Sequence, residues 1–256
     1  MFENAVVHPE ARIEENVSVG PFCYIEKDVV IGSGTIIEPN VTIYNGSVIG
    51  KNCHIYPGTV IGAPAQDLSY AGEKTTVEIG NNVTIRESCT IHRGTKDKWK
   101  TVVGDNCFLM AYAHIAHDCV IGKNCILANA VNLGGHVEVG EFTNIGGMVP
   151  VHQFSKIGKH AMIAGGVTIR KDVPHYVKVG RDPASFIGVN TIGLSRKGFE
   201  KSEIRLIEDI YRMLFVKHRN IKKAVKVIED ELPDNIYKKE ILEFIQQSKR
   251  GLIKGL

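Results

Sequence analysis

Every sixth residue from Val7 to Ile169 is a large aliphatic, with three exceptions. Of 28 positions in this column 25 are Ile, Val or Leu, among them Ile43, Ile61, Ile85, Ile115, Leu133 and Val151. Neither the 3.6-residue period of a helix nor the two-residue period of a flat strand sustains a strict six. A fixed short period marks a solenoid, here a parallel β-helix in which each hexad supplies a short strand and a turn. Four residues after each aliphatic stands a small residue, as at Ala11, Val17, Cys23, Thr35, Ser47 and on to Val173. Gly often follows the aliphatic directly, as at Gly32, Gly50, Gly104 and Gly122. The aliphatic is expected to point inward, the small residue to fit near the corner, and Gly or Asn to supply the tight turn. The three exceptions, Asp67, Glu73 and Asp97, fall in two stretches that read as inserted loops, near 63–78 and 93–102. The second loop holds the sole tryptophan, Trp99.

The same arithmetic accounts for the cysteines. All six fall in the small column, where Cys alternates with Ala, Ser, Thr and Val, so they read as reduced, buried filler. Net charge is +3, from 31 basic and 28 acidic residues, too small a surplus to make nucleic acid the default partner. The segment Met1–Pro9 lacks a basic-then-apolar signal pattern, and no apolar run reaches the ~18 residues of a membrane span. The expected placement is cytoplasmic. The repeat stops near Val173, and Pro174 and Pro183 bracket what reads as an extended linker. From Lys201 the spacing of Ile204, Ile207, Tyr211, Leu214 and Phe215 predicts a helix, with Ser202 as its cap. Further helices are expected after Asn220 and after Pro233. The expected division is a β-helix over residues 1–185, then a linker and small C-terminal helical domain over 186–256.

A turn residue in a solenoid is usually solvated filler, but the ten histidines are not scattered. With three hexads per coil, Ile115, Leu133 and Val151 stack in one column. Their turns are Ala116-His117-Asp118, Gly134-Gly135-His136 and His152-Gln153-Phe154, with His114 just before the first. A His is suited to act as a general base, and an adjacent carboxylate can fix its tautomer. Gly134 and Gly135 leave room for a substrate and offer N–H groups to an oxyanion. No Ser or Cys nucleophile shares the corner, which favours direct transfer to a bound acceptor over a covalent intermediate. The residues alone leave two rivals open: a three-histidine metal site of the hydratase kind, and a solenoid scaffold without catalysis. A basic run, Lys217, His218, Arg219, Lys222, Lys223 and Lys226, reads as a solvated face or as a dock for an acidic partner.

Several motifs go beyond the generic hexad. They are Gln66-Asp67-Leu68, Ile85-Arg86-Glu87-Ser88, Ile91-His92-Arg93-Gly94-Thr95, His114-Ile115-Ala116-His117-Asp118, Gly146-Gly147-Met148, Val151-His152-Gln153-Phe154 and Asp172-Val173-Pro174. Together they resemble the acyl-carrier-protein–UDP-N-acetylglucosamine O-acyltransferases over essentially the whole chain. The resemblance implies a left-handed parallel β-helix, homotrimers with active sites between neighbouring subunits, and no cofactor beyond the donor's phosphopantetheine. It implies transfer of a 3-hydroxyacyl group from acyl carrier protein to the 3-position of UDP-N-acetylglucosamine, the first step of lipid A synthesis. A 3-amino form of the sugar, giving an amide, is the alternative acceptor. Carried over by motif, His117 is the general base, Asp118 its partner and the Gly135 N–H the oxyanion donor. His114, His136, His152 and Gln153 match substrate-contacting positions, as do Gln66 and Asp67 in the first loop. Asn190 and Arg196 match nucleotide-binding positions, and Gly165 matches the acyl-length position. This chain differs from many members in carrying Ser69, Ile192 and Lys197.

Overall fold

The computed structural model describes residues 4–218 and 220–255. Three parallel sheets form the faces of a left-handed β-helix. The first face stacks eight strands from Val6–Val7 to Pro150–Val151, and the second eight from Arg12–Ile13 to Lys156–Ile157. The third runs from Ser18–Val19 to Met162–Ile163 and gains two further strands. Register partners lie one coil apart, as in His114↔Asn132 and Asn132↔Pro150. The spacing widens across the first loop, where Val60 pairs with Thr90, and across the second, where Thr90 pairs with His114. The loops therefore insert two hexads and one hexad without disturbing the stack, which is why the aliphatic column resumes in phase after each.

The inward column is the core. Ile43, Ile61, Ile85, Ile91, Leu109, Ile115 and Leu133 are fully buried, each worth roughly 1.5–3 kcal/mol relative to exposure. All six cysteines are free and buried beside it, as their column requires. The two turn residues divide their tasks differently from the expectation. The left-handed position is the third after the aliphatic, held by Asn40, Asn52, Asn106 and Asn124 at φ 54–60°. The glycine directly after the aliphatic serves close approach between coils. A Cβ on Gly50 would lie 2.5 Å from the Gly80 carbonyl oxygen, and one on Gly122 would lie 2.6 Å from the Glu141 nitrogen.

Between Pro174 and Pro183 the chain forms a strand, Val177–Gly180, instead of the expected linker. It pairs parallel with Met162–Ile163 and antiparallel with Ser185–Val189, so the expected 185/186 boundary falls at the start of a strand. Val177 and Val179 are fully buried, so period-two burial carries the third sheet onward after the hexad ends. Among the described residues four α-helices follow: α1 (Thr191–Arg196), α2 (Lys201–Tyr211), α3 (Ile221–Glu231) and α4 (Ile236–Gln247). Wider π turns at Arg212–Lys217 extend α2. The residue at the N-cap of α2 is Glu200, not Ser202; its N–H is held by the Glu203 carboxylate at 2.7 Å. Asn220 and Asn235 cap α3 and α4. Helix α4 is fastened to the solenoid by Glu240, which takes Lys159 at 2.7 Å and the Tyr176 hydroxyl. The C-terminal tail returns to bridge Leu252 to Asp172 and Lys254 to Ser185. No described helix is long and apolar enough to cross a membrane.

Candidate active site

The corner after the first face gathers the histidines. His117 sits two residues beyond the inward Ile115, and the strand hydrogen bonds that fix Ile115 fix the turn behind it. Its ring is buried, and Nδ1 donates to Asp118 Oδ2 at 2.8 Å. Asp118, fully buried, occupies the left-handed turn position at φ 59°. Its own N–H donates to Thr101 Oγ1 at 2.9 Å. Burial works against the Asp118 charge, but hydrogen bonds from His117 and Thr95 outweigh it and hold the carboxyl below its ordinary value. The carboxylate is thus ionised and orients the imidazole with its Nε2 turned outward.

One coil on, Gly135 lies against that ring. A Cβ there would meet His117 Cε1 at 2.5 Å and Nε2 at 2.6 Å. At several other turns the N–H at this position has a side-chain acceptor: Ser33 has Glu14, Lys51 has Asn81, Lys159 has His175. Among the described residues the Gly135 N–H has none. An open backbone donor beside an oriented imidazole is the arrangement an oxyanion requires. His136 follows at φ 62°, its ring edge-on to His117 at 5.1 Å and stacked on Phe154 at 4.4 Å. Burial pushes the His136 imidazole down, against the opposing pull of Asp118. His114 is held by Thr90 Oγ1 at 2.7 Å and packs against His92. Burial, then the neighbouring His92 and His117, push it to about 4, so it is neutral near pH 7.

Both inserted loops fold back over this corner. Asp67 Oδ2 stands 3.7 Å from His117 Nε2, and its Oδ1 accepts the Ser69 N–H and hydroxyl at 2.7 and 2.8 Å. Those two bonds hold Asp67 below its ordinary value and give the unusual Ser69 a task. Gln66 is exposed beside it. The second loop brings Thr95, whose N–H and hydroxyl both donate to Asp118, and Asp97, 3.8 Å from His136. Neither Thr95 nor Asp97 was expected from the sequence. The spacing that pairs Thr90 with His114 sets Gly94 level with Asp118, which would have found Thr95 beside it.

His152 and Gln153 are exposed one coil further on, the His152 Nδ1 lying 3.1 Å from the Gln153 carbonyl oxygen. Among the described residues, His117, Asp118 and His136 place ligand atoms within 4.8 Å of one another, a metal-sized cluster that leaves His152 outside. The remaining expected site residues lie elsewhere on the chain. Gly165 is at the corner after the third face, stacked on Gly146 and Gly147. Asn190 caps α1 through Gly193 N–H and donates to the His160 carbonyl at 3.0 Å, at the corner after the second face. Arg196 is exposed at the end of the same helix. The three groups occupy three different corners.

Residues 172–253 match the family model described as UDP-N-acetylglucosamine O-acyltransferase, domain 2. Residues 10–45, 28–63 and 100–135 match the bacterial transferase hexapeptide model. An acyl-(acyl-carrier-protein)–UDP-N-acetylglucosamine O-acyltransferase from Thermodesulfovibrio yellowstonii is 46% identical over 193 residues, covering 75% of this chain and 74% of that protein. The same enzyme of Helicobacter pylori is 41% identical over 188 residues, 73% of this chain and 69% of that protein. A solved UDP-N-acetylglucosamine acyltransferase from Bacteroides fragilis superposes with a TM-score of 0.97 at 42% identity, covering 99% of this chain and all of that one. The chain, hexads and helical tail alike, belongs to the UDP-N-acetylglucosamine O-acyltransferase family.

Proposed function

We propose that this enzyme transfers a 3-hydroxyacyl chain from acyl carrier protein to the 3-hydroxyl of UDP-N-acetylglucosamine, opening lipid A synthesis in the cytoplasm. The observation that carries the mechanism is the Asp118–His117 pair set against the unoccupied N–H of Gly135. His117 Nε2 removes the sugar hydroxyl proton as that oxygen attacks the thioester carbonyl. The new C–O bond forms, and the carbonyl oxygen becomes an oxyanion accepting from Gly135 N–H. Collapse breaks the C–S bond, and the phosphopantetheine thiolate takes the proton back from the imidazolium. Asp118 holds Nδ1–H throughout and stabilises the transient charge. Each step balances within the two substrates, so no metal or other cofactor is invoked.

Asp67, fixed by Ser69 beside His117 Nε2, is placed to accept a sugar hydroxyl, with Gln66 next to it. His114, His136, His152 and Gln153 would line the acceptor along the same corner. Asn190 and Arg196 would hold the nucleotide, and Gly165 would leave room for a long acyl chain. A single chain cannot bring these to His117, but a homotrimer whose corners meet can. Lys217, Lys222, Lys223 and Lys226 are exposed, and among the described residues none forms an ion pair, which suits docking of an acidic carrier protein. Arg219, counted in the same run, lies outside the described residues.

His117→Ala tests the assignment. Turnover is expected to fall by about 10²–10⁴, the usual worth of a general base, with melting temperature and oligomeric mass unchanged. Near-normal turnover would overturn it. Product mass from UDP-N-acetylglucosamine and its 3-amino analogue, run in parallel, separates ester from amide formation.

A further inference from the structure

We propose that Thr95 is a positioning residue of acyl transfer, the group that commits the Asp118 carboxylate to His117. The inference rests on the reading of His117 as the base. Asp118 Oδ2 lies 2.8 Å from His117 Nδ1 but also 3.8 Å from His136 Nε2. A carboxylate free to turn about its own bond would divide itself between two imidazoles. Thr95 removes that freedom. Its N–H donates to Oδ1 at 2.9 Å and its hydroxyl to Oδ2 at 2.7 Å, a two-point grip that sets the carboxylate plane. The Lys98 N–H adds a longer contact to Oδ1 at 3.3 Å.

The grip depends on the inserted hexad. Thr95 stands in the small column, where the solenoid would use it as corner filler. Because its hexad is extra, Thr95 leaves the stack and arrives, 4% exposed, over the Asp118 turn. The loop is pinned on both sides. A turn bond joins Trp99 N–H to Thr95 O at 2.8 Å, and Lys98 reaches Glu138 at 2.9 Å. The loop thus brings a fixed donor to a carboxylate that its own coil contacts only through the backbone and His117.

Thr95→Val, Thr95→Ala and Thr95→Ser distinguish this role from packing. Val and Ala remove the hydroxyl and keep the N–H, while Ser keeps both. In the folded Val or Ala enzyme kcat is expected to fall about 10- to 100-fold, with KM for both substrates within about twofold, since only transition-state positioning is lost. The acidic limb of the kcat profile should move to higher pH, because Oδ2 relieved of one donor holds the imidazolium more firmly. Ser should restore kcat to within about threefold of wild type. Unchanged kcat and pH profile in folded Val and Ala variants would overturn the proposal. So would losses confined to KM, a Ser variant no better than Ala, or Val and Ala chains that fail to fold where Ser folds. Were His117→Ala to stay active, the base assignment itself would fall, which separates the two failures.

Discussion

Gly135 shows what a single residue decides here. A Cβ would strike the His117 ring, a side chain that can swing aside, and not the backbone of a neighbouring coil. Gly135→Ala should therefore leave the melting temperature close to wild type while displacing His117, the proposed base. A misplacement of about 1 Å costs roughly 10² in rate, so kcat should fall by about that factor. Circular dichroism melts beside turnover assays check this. A large loss of stability with intact turnover in the surviving protein would contradict it. The sequence reads Gly135 as room for substrate and as an N–H donor. It could not see that the imidazole itself occupies that room. Asp118 and His136 were legible as a cluster, but their left-handed backbone, φ 59° and 62°, was not, because the residues at that position vary from Asn and Gly to Phe, Tyr and Met. Thr95 stands in the motif Ile91-His92-Arg93-Gly94-Thr95 but receives no role there, because its column predicts filler, and only the loop's offset assigns it to Asp118.

At the scale of the coil the hexad explains more than the strands. Small-column side chains donate to the carbonyl at the next corner, as Cys23 does to Glu38 at 3.0 Å and Thr143 to Gly158 at 2.8 Å. The ladder follows the insertions, with Cys53 reaching Gly80 and Cys89 reaching Met110. Cys and Thr thus act as hydrogen-bonded fillers, so thiol chemistry is not needed to explain the cysteines. Ser155 breaks the rule: its buried hydroxyl has no partner among the described residues. Ser155→Ala should stabilise the chain by about 1 kcal/mol or more, the desolvation cost of an unpaired group, and raise the melting temperature by a few degrees. A melt lower than wild type would show that the hydroxyl is satisfied in solution. The solenoid was readable because one period repeats through it. The strands Val177–Gly180 and Ser185–Val189 were not, since two prolines and a lost period look the same as a linker.

For the whole molecule, the proposed site residues lie on separate corners of the prism, which the proposed trimer would bring together. His117 and Gly135, then Asn190 with Arg196, then Gly165 occupy successive corners of a three-sided prism. Side chains on different corners of one prism diverge. Three prisms around a threefold axis can face the His117 corner of one toward the Arg196 helix of the next. The sequence places His117, Gly135 and Gly165 on their hexads but does not relate one corner to another, because in the proposed trimer that relation would lie between copies. Mixed assembly tests it. His117→Ala and Arg196→Ala chains, each expected to be poorly active alone at low UDP-sugar, are co-expressed with different tags and the mixed trimers isolated. If a site takes His117 from one subunit and Arg196 from the next, an intact site forms wherever the two mutant chains meet in one order. Every mixed cyclic trimer holds one such interface of its three, so about a third of wild-type activity should return. If every site lies within one chain, no chain in the mixture is intact, and activity should stay at the mean of the two parents.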